Sequence, residues 1–148
     1  MKVYQLTYRS KALPDITSKQ VQDIIAIAKV FNSSNEITGC LIFDNGYFVQ
    51  ILEGDEEKVT QLYFKIKQDK RHSHLEVLSK GWSSKRVFED WGMGYLKMED
   101  VKIGEKEVLV QNAMNELTNI SVKNDFTLKV FWYNVHALLT ETKFYKSL

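Results

Sequence analysis

Apolar and polar positions alternate from residue 2 to residue 9, setting Tyr4, Leu6 and Tyr8 on one side of a pleat and Val3, Gln5 and Thr7 on the other. This predicts a first strand. Beyond Pro14 the period changes. Thr17 with Gln20 three residues later reads as a capping box, and Val21, Ile24, Ile25, Ala28 and Phe31 recur at helical spacing to about Asn32. Residues 37–43 and 47–53 are two apolar strands around Asn45-Gly46, a pair suited to a two-residue type I′ turn. A second helix opens on Asp55, Glu56 and Glu57, carries the stripe Val59, Leu62, Tyr63 and Ile66, and is expected to run to Asp69. Residues 75–82 read as a fourth strand and 94–98 as a fifth.

The order βαββαβ is that of an α+β, ferredoxin-like sheet with both helices on one face and an extra strand. A two-residue turn at Asn45-Gly46 sets Phe43 opposite Phe48 and Leu41 opposite Gln50 on one side of the sheet. Cys40, Ile42, Val49 and Ile51 fall on the other. Both faces are therefore apolar, although two helices cover only one. Residues 105–117 and 126–142 supply the missing cover as two C-terminal helices expected on the opposite face. The expected organisation is a core over residues 1–100 and a helical cap over 101–148, in one domain unit with no Pro/Gly-rich linker between them.

Composition narrows the function classes. The chain has 148 residues, 44% of them hydrophobic, enough for one domain with a substantial core. Twenty basic and nineteen acidic side chains leave a net charge of +1, which gives no field to draw in nucleic acid or an anionic membrane. The single cysteine, Cys40, excludes an internal disulfide framework and suits a reducing interior. No apolar run approaches the ~18 residues needed to span a bilayer, and the start has no long apolar signal core. The expectation is a cytoplasmic protein.

Catalytic signatures are missing: Gly92-Met93-Gly94 lacks the third glycine of a dinucleotide fingerprint, and no P-loop lysine motif exists. His72-Ser73-His74 has no cysteine or acidic ligands nearby and reads as a surface turn, and no histidine is placed to activate Cys40. What remains is a set of polar residues aimed into an apolar layer. Tyr8 and Gln50 stand on strands that neighbour each other in this sheet type, and both point toward the helices. Asn32 closes the first helix, Asp69 extends the buried stripe of the second, and Ile24 and Ile66 face each other across the gap. An apolar space with a few placed polar groups is the usual make-up of a small-molecule site. Each residue alone also has a structural reading: a buried Tyr–Gln pair, a helix C-cap, or cations at a helix end complementing its dipole. The residues alone thus leave open a light-insensitive ligand-binding regulator, and Arg9-Ser10-Lys11 as an anion loop of a small hydrolase.

The same residues carry a resemblance. Leu6-Thr7-Tyr8-Arg9-Ser10, Asn32, Asn35-x-Ile37-Thr38-Gly39, Phe48-x-Gln50-x-Leu52-Glu53-Gly54, Asp69-x-Arg71-His72 and Arg86-x-Phe88-x-x-Trp91-x-Met93-Gly94 resemble, in order and spacing, the BLUF family of flavin-dependent blue-light sensors. The likeness covers roughly residues 1–100; the rest looks like the short members of that family, which carry two C-terminal helices and no fused enzymatic domain. It implies a non-enzymatic photoreceptor that binds FAD, or FMN, without a covalent link. Tyr8 would be the tyrosine that gives an electron and proton to photoexcited flavin, and Gln50 the glutamine joining that phenol to the ring. Asn32 would bond the ring's polar edge and Ile24 and Ile66 sandwich it, with Lys65 and Asp69 near the ribityl chain and Arg71 and His72 completing the cofactor-binding set. Trp91 and Met93 would be the pair that responds beside Gln50. Phe31 stands where some members carry a polar residue. The expected partner is an unidentified protein effector or regulator, with self-association into a homo-oligomer.

Overall fold

A computed structural model of the chain describes residues 2–88, the backbone of 94–97, and 126–140. The elements are β1 (Val3–Ala12), α1 (Ser18–Ser34), β2 (Thr38–Asp44), β3 (Tyr47–Gly54), α2 (Glu56–Gln68), β4 (His72–Ser83), β5 (Gly94–Lys97) and α3 (Phe126–Thr140). The strands form one sheet in the order β4-β1-β3-β2-β5. β1, β2, β3 and β4 pair antiparallel, as a ferredoxin-like order requires, and β5 adds to β2 in parallel.

Local chemistry accounts for each boundary. The capping box forms: Thr17 Oγ1 accepts from Gln20 N at 3.1 Å while Gln20 Oε1 accepts from Thr17 N at 2.9 Å. Asn45 and Gly46 take φ of 47° and 84°, the left-handed pair of a type I′ turn. The hairpin consequently has the expected register, with Phe43 opposite Phe48 and Leu41 opposite Gln50. At Gly39 a β-carbon would lie 2.1 Å from the Ile51 carbonyl oxygen, so only glycine lets β2 approach β3 there.

Three boundaries differ from the sequence pattern. α1 runs through Ser34, which puts Asn32 inside its last turn rather than at its end. The stop comes at Asn35, whose amide side chain and backbone N–H both donate to Phe31 O, and at Glu36, which turns left-handed with φ 54°. α2 ends at Gln68, so Asp69 is its cap and not part of its stripe; the Asp69 backbone is extended and its N–H donates to Ile66 O. β4 begins at His72 rather than residue 75, so His72-Ser73-His74 is strand and not a surface turn. The register against β1 shifts between Arg9 and Lys11, and His74, with φ 53°, interrupts the alternation that would have revealed the strand.

The sheet is buried on both faces. Tyr4, Leu6, Tyr8, Leu41, Phe43, Phe48 and Leu52 pack beneath Val21 and Ile25 of α1 and Val59 and Leu62 of α2. Cys40, Ile42, Val49 and Ile51 pack beneath Leu128, Phe131, Val135 and Leu138 of α3, the cover expected from the tail. Residues 105–117, read as a further helix, lie outside the described residues, as do Trp91 and Met93. No helix among the described residues is long and apolar enough to cross a membrane.

Phe131 is fully enclosed at the centre of the α3 face. Phe131→Ala should lower unfolding free energy by about 3–5 kcal/mol, read as a fall in the urea midpoint; a loss below ~1 kcal/mol would mean that α3 is not docked as described.

Candidate functional site

A cavity of about 300 Å³ opens between α1 and α2 with the sheet as its floor. Its walls are largely apolar: Ile24, Ile27, Ala28 and Phe31 from α1, Leu62 and Ile66 from α2, Leu41 and Phe48 from the hairpin. Tyr8, Asn32, Gln50, Lys65, Asp69, Arg71 and His72 supply its polar lining. All nine residues named from sequence as cofactor-binding thus meet in one space. Ile27, Ala28, Phe31, Leu41, Phe48 and Leu62 also line it without having been assigned to cofactor binding. Helical spacing from Ile24 and from Ile66, with the hairpin register, would have found them.

At the floor, Tyr8 and Gln50 are direct cross-strand partners. The Tyr8 hydroxyl donates to Gln50 Oε1, and both side chains are buried. Burial raises the Tyr8 phenol well above its ordinary value, and the negative charge of Asp69 pushes the same way. Tyr8 is therefore a neutral donor, and with Oε1 occupied the Gln50 amide turns its N–H₂ end away from the phenol. Gln50's backbone carbonyl accepts from Thr7 Oγ1 at 2.8 Å, a second tie between β1 and β3 beside the Tyr8 contact. Asn32 is fully enclosed and lines the cavity, and its backbone carbonyl accepts from Ile37 N at 2.9 Å and Asn35 N at 3.2 Å, which fixes the residue inside the helix end.

The far wall is built from the end of α2. Asp69 accepts from Arg71 N at 2.9 Å, from Nε at 3.0 Å and from Nη2 at 2.6 Å, a forked pair. The Arg71 side-chain bond is the main reason the Asp69 carboxyl lies below its ordinary value, against a smaller opposing effect of burial. His72 spans two elements: Nε2 lies 2.6 Å from Ile66 O and Nδ1 2.8 Å from Ser10 Oγ. A carbonyl only accepts, so Nε2 carries the hydrogen. Lys65 sits with Nζ 4.2 Å from the centre of the Phe31 ring. Phe31, the departure noted in sequence, thus serves as wall and as a seat for that cation. The described residues hold no cluster of three or more groups able to bind a metal. Cys40 faces the opposite side of the sheet, where burial pushes its thiol up to about 12.

An apolar slot with a phenol and an amide at its floor, a second amide at the end of α1 and charged groups at its rim suits a flat ring with polar edges. Its volume is at the small end of the ~300–1,000 Å³ usual for ligand sites, sufficient for a ring system rather than a whole dinucleotide.

Comparison with known proteins decides the family. Residues 3–94 match BLUF, described as sensors of blue light using FAD. The chain belongs to the BLUF family. It is 32% identical over 114 residues to the blue light- and temperature-regulated antirepressor BluF of Escherichia coli, a match covering 77% of this chain but 28% of that protein. The photo-activated state of BlsA superposes with a TM-score of 0.68 at 29% identity, covering 95% of this chain and 96% of that one. BlrP1 of Klebsiella pneumoniae, solved with FMN and cyclic diGMP, gives a TM-score of 0.71 at 26% identity over 94% of this chain and 35% of that one. The family's description is of blue-light sensors using FAD, and this chain spans less than a third of the length of the antirepressor it matches.

Two outcomes test the site's electrostatics. Because the folded Asp69 carboxyl is depressed, its contribution is present above the ordinary carboxylate value and is lost as pH falls through the folded one. The pair is partly exposed, so the effect is no more than about 1 kcal/mol. As pH falls below the ordinary carboxylate value of about 4, wild type should lose more urea stability than Asp69→Asn; equal losses would show the pair to be inert. Cys40 should resist iodoacetamide in the native state and react on unfolding, as followed by mass spectrometry.

Proposed function

We propose that this BLUF domain holds the isoalloxazine of FAD between α1 and α2 and reports light through the Tyr8–Gln50 pair. The observation that carries the reading is the buried hydrogen bond from the Tyr8 hydroxyl to Gln50 Oε1 at the floor of an apolar cavity. Bound flavin supplies blue-light absorption and, once excited, a strong oxidant. The chain's residues do the rest. Ile24 and Ile66 grip the ring faces, the Asn32 amide meets the polar edge, and Lys65, Asp69, Arg71 and His72 line the exit of the ribityl chain. FAD is favoured over FMN by the family's own description, and heat release followed by chromatography identifies which is bound.

A phenol held neutral in a dry site can give up an electron only if its proton goes too, and Tyr8 already directs that proton at Gln50 Oε1. Electron and proton later return, so Tyr8 ends unchanged. Gln50 is left with its donor and acceptor ends differently engaged, by rotation or by tautomerisation. One rearranged hydrogen bond is worth about 0.5–1.5 kcal/mol, whereas moving a two-state element from 1:99 to 99:1 takes about 5.5 kcal/mol. Several contacts must therefore change together. The response passes to the C-terminal cap over residues 101–148, including α3, and from there to a protein effector or to a second copy of the chain, in the cytoplasm. Trp91 and Met93 stand next to β5 in sequence and belong to that route.

Purified protein should show flavin bands that shift reversibly to the red under blue light. Tyr8→Phe and Gln50→Glu should bind flavin and lose the reversible shift. A colourless protein, or a shift that persists in both variants, would overturn the assignment.

A further inference from the structure

Glu53 lies three residues beyond Gln50 on β3, an odd step, so its side chain projects to the opposite face of the sheet. It is fully buried. Its two oxygens accept four hydrogen bonds: Oε1 from Thr38 Oγ1 at 2.7 Å and Phe88 N at 2.6 Å, Oε2 from Val87 N at 3.0 Å and Gln5 Nε2 at 3.3 Å. Arg86 adds Nη1 to Thr38 Oγ1 at 3.0 Å and to the Glu53 carbonyl at 3.3 Å. One carboxylate thus clamps the backbone of 87–88 onto β3. The Phe88 ring, itself buried, bears on α3, with ring centres 6.1 Å from Phe131 and 6.4 Å from Trp132.

We infer that Glu53 is a mechanical latch carrying the Gln50 rearrangement through the sheet to α3, by way of the 87–88 backbone and the Phe88 ring. This rests on the light-sensing reading of the Tyr8–Gln50 pair and names how its signal leaves the site. A saturated carboxylate with short bonds gives little, so displacement of β3 at Gln50 moves the two N–H groups held at Glu53. Phe88 then presses on Phe131 and Trp132. The start of α3 is pinned, since Thr127 Oγ1 lies 2.8 Å from Ser79 Oγ on β4. Pressure one turn further along therefore swings the rest of the helix.

The test is hydrogen exchange of the α3 amides in the full flavin-loaded chain, in darkness and under blue light, with the absorption shift recorded on the same samples. Wild type should change its α3 exchange on illumination. Glu53→Gln, which replaces two acceptor oxygens by one, and Phe88→Leu, which removes the ring contacts, should keep the absorption shift and lose the light-induced change in α3. Arg86→Gln, half-buried at the edge of the network, should diminish it and decides the matter should Glu53→Gln not fold. The inference is overturned if wild type shifts its absorption without any change in α3, or if Phe88→Leu and Arg86→Gln respond at wild-type size. A wild-type protein without flavin bands or shift would instead overturn the light-sensing reading itself.

Discussion

Slipping β1 against β3 by one residue would send every side chain of the slipped strand to the opposite face, because the period of a strand is two. The antiparallel register that sets Tyr8 across from Gln50 therefore fixes much more than one hydrogen bond. It places the phenol and carboxamide beneath α1 and α2, leaves Val49, Ile51 and Glu53 for α3, and lines up Gln5 opposite Glu53. Side chains tie the two strands together, Thr7 Oγ1 to Gln50 O and Gln5 Nε2 to Glu53 Oε2. On the other edge of β3 the Asn45-Gly46 turn sets β2, and Gly39 admits a backbone approach that no β-carbon tolerates. The sheet is less a support for the site than a partition with separate chemistry on each side.

The two sides obey different rules. Under α1 and α2 the floor is closed by Tyr8, Phe48 and Gln50, but the helices stand apart, and their facing side chains line a cavity instead of filling it. Under α3 the apolar side chains pack against one another, and polar groups such as the Glu53 carboxylate and the Ser79–Thr127 pair find partners within the chain. A cavity on one face and a packed core on the other divide the sheet between a side with room for a small molecule and a side held by side-chain contact.

The positions of Tyr8 and Gln50 were legible because Gln50 depends on a turn whose residues admit one geometry and Tyr8 on an alternation whose register against β3 is unbroken. Ile24 and Ile66 followed from helical spacing. Asn32 was placed correctly in space but for the wrong local reason, since polar residues after Phe31 suggested an end where the helix continues for two more residues. Asp69 likewise reached the site as a cap, its carboxylate directed by Arg71 rather than by the α2 stripe. The start of β4 was hidden by the left-handed His74. Glu53 was the hardest to read. An acidic residue at a strand end before glycine resembles a solvated edge, and its donors come from positions 5, 38, 87 and 88, which no local window joins.

His72 joins β4 to both neighbouring elements. Its Nε2 donates to the Ile66 carbonyl near the end of α2, and its Nδ1 meets the Ser10 hydroxyl of β1. One ring thus rivets the end of a helix to the sheet beneath it. The breadth of the cavity at that end is set by the width of an imidazole, so the gap has its dimension before anything occupies it.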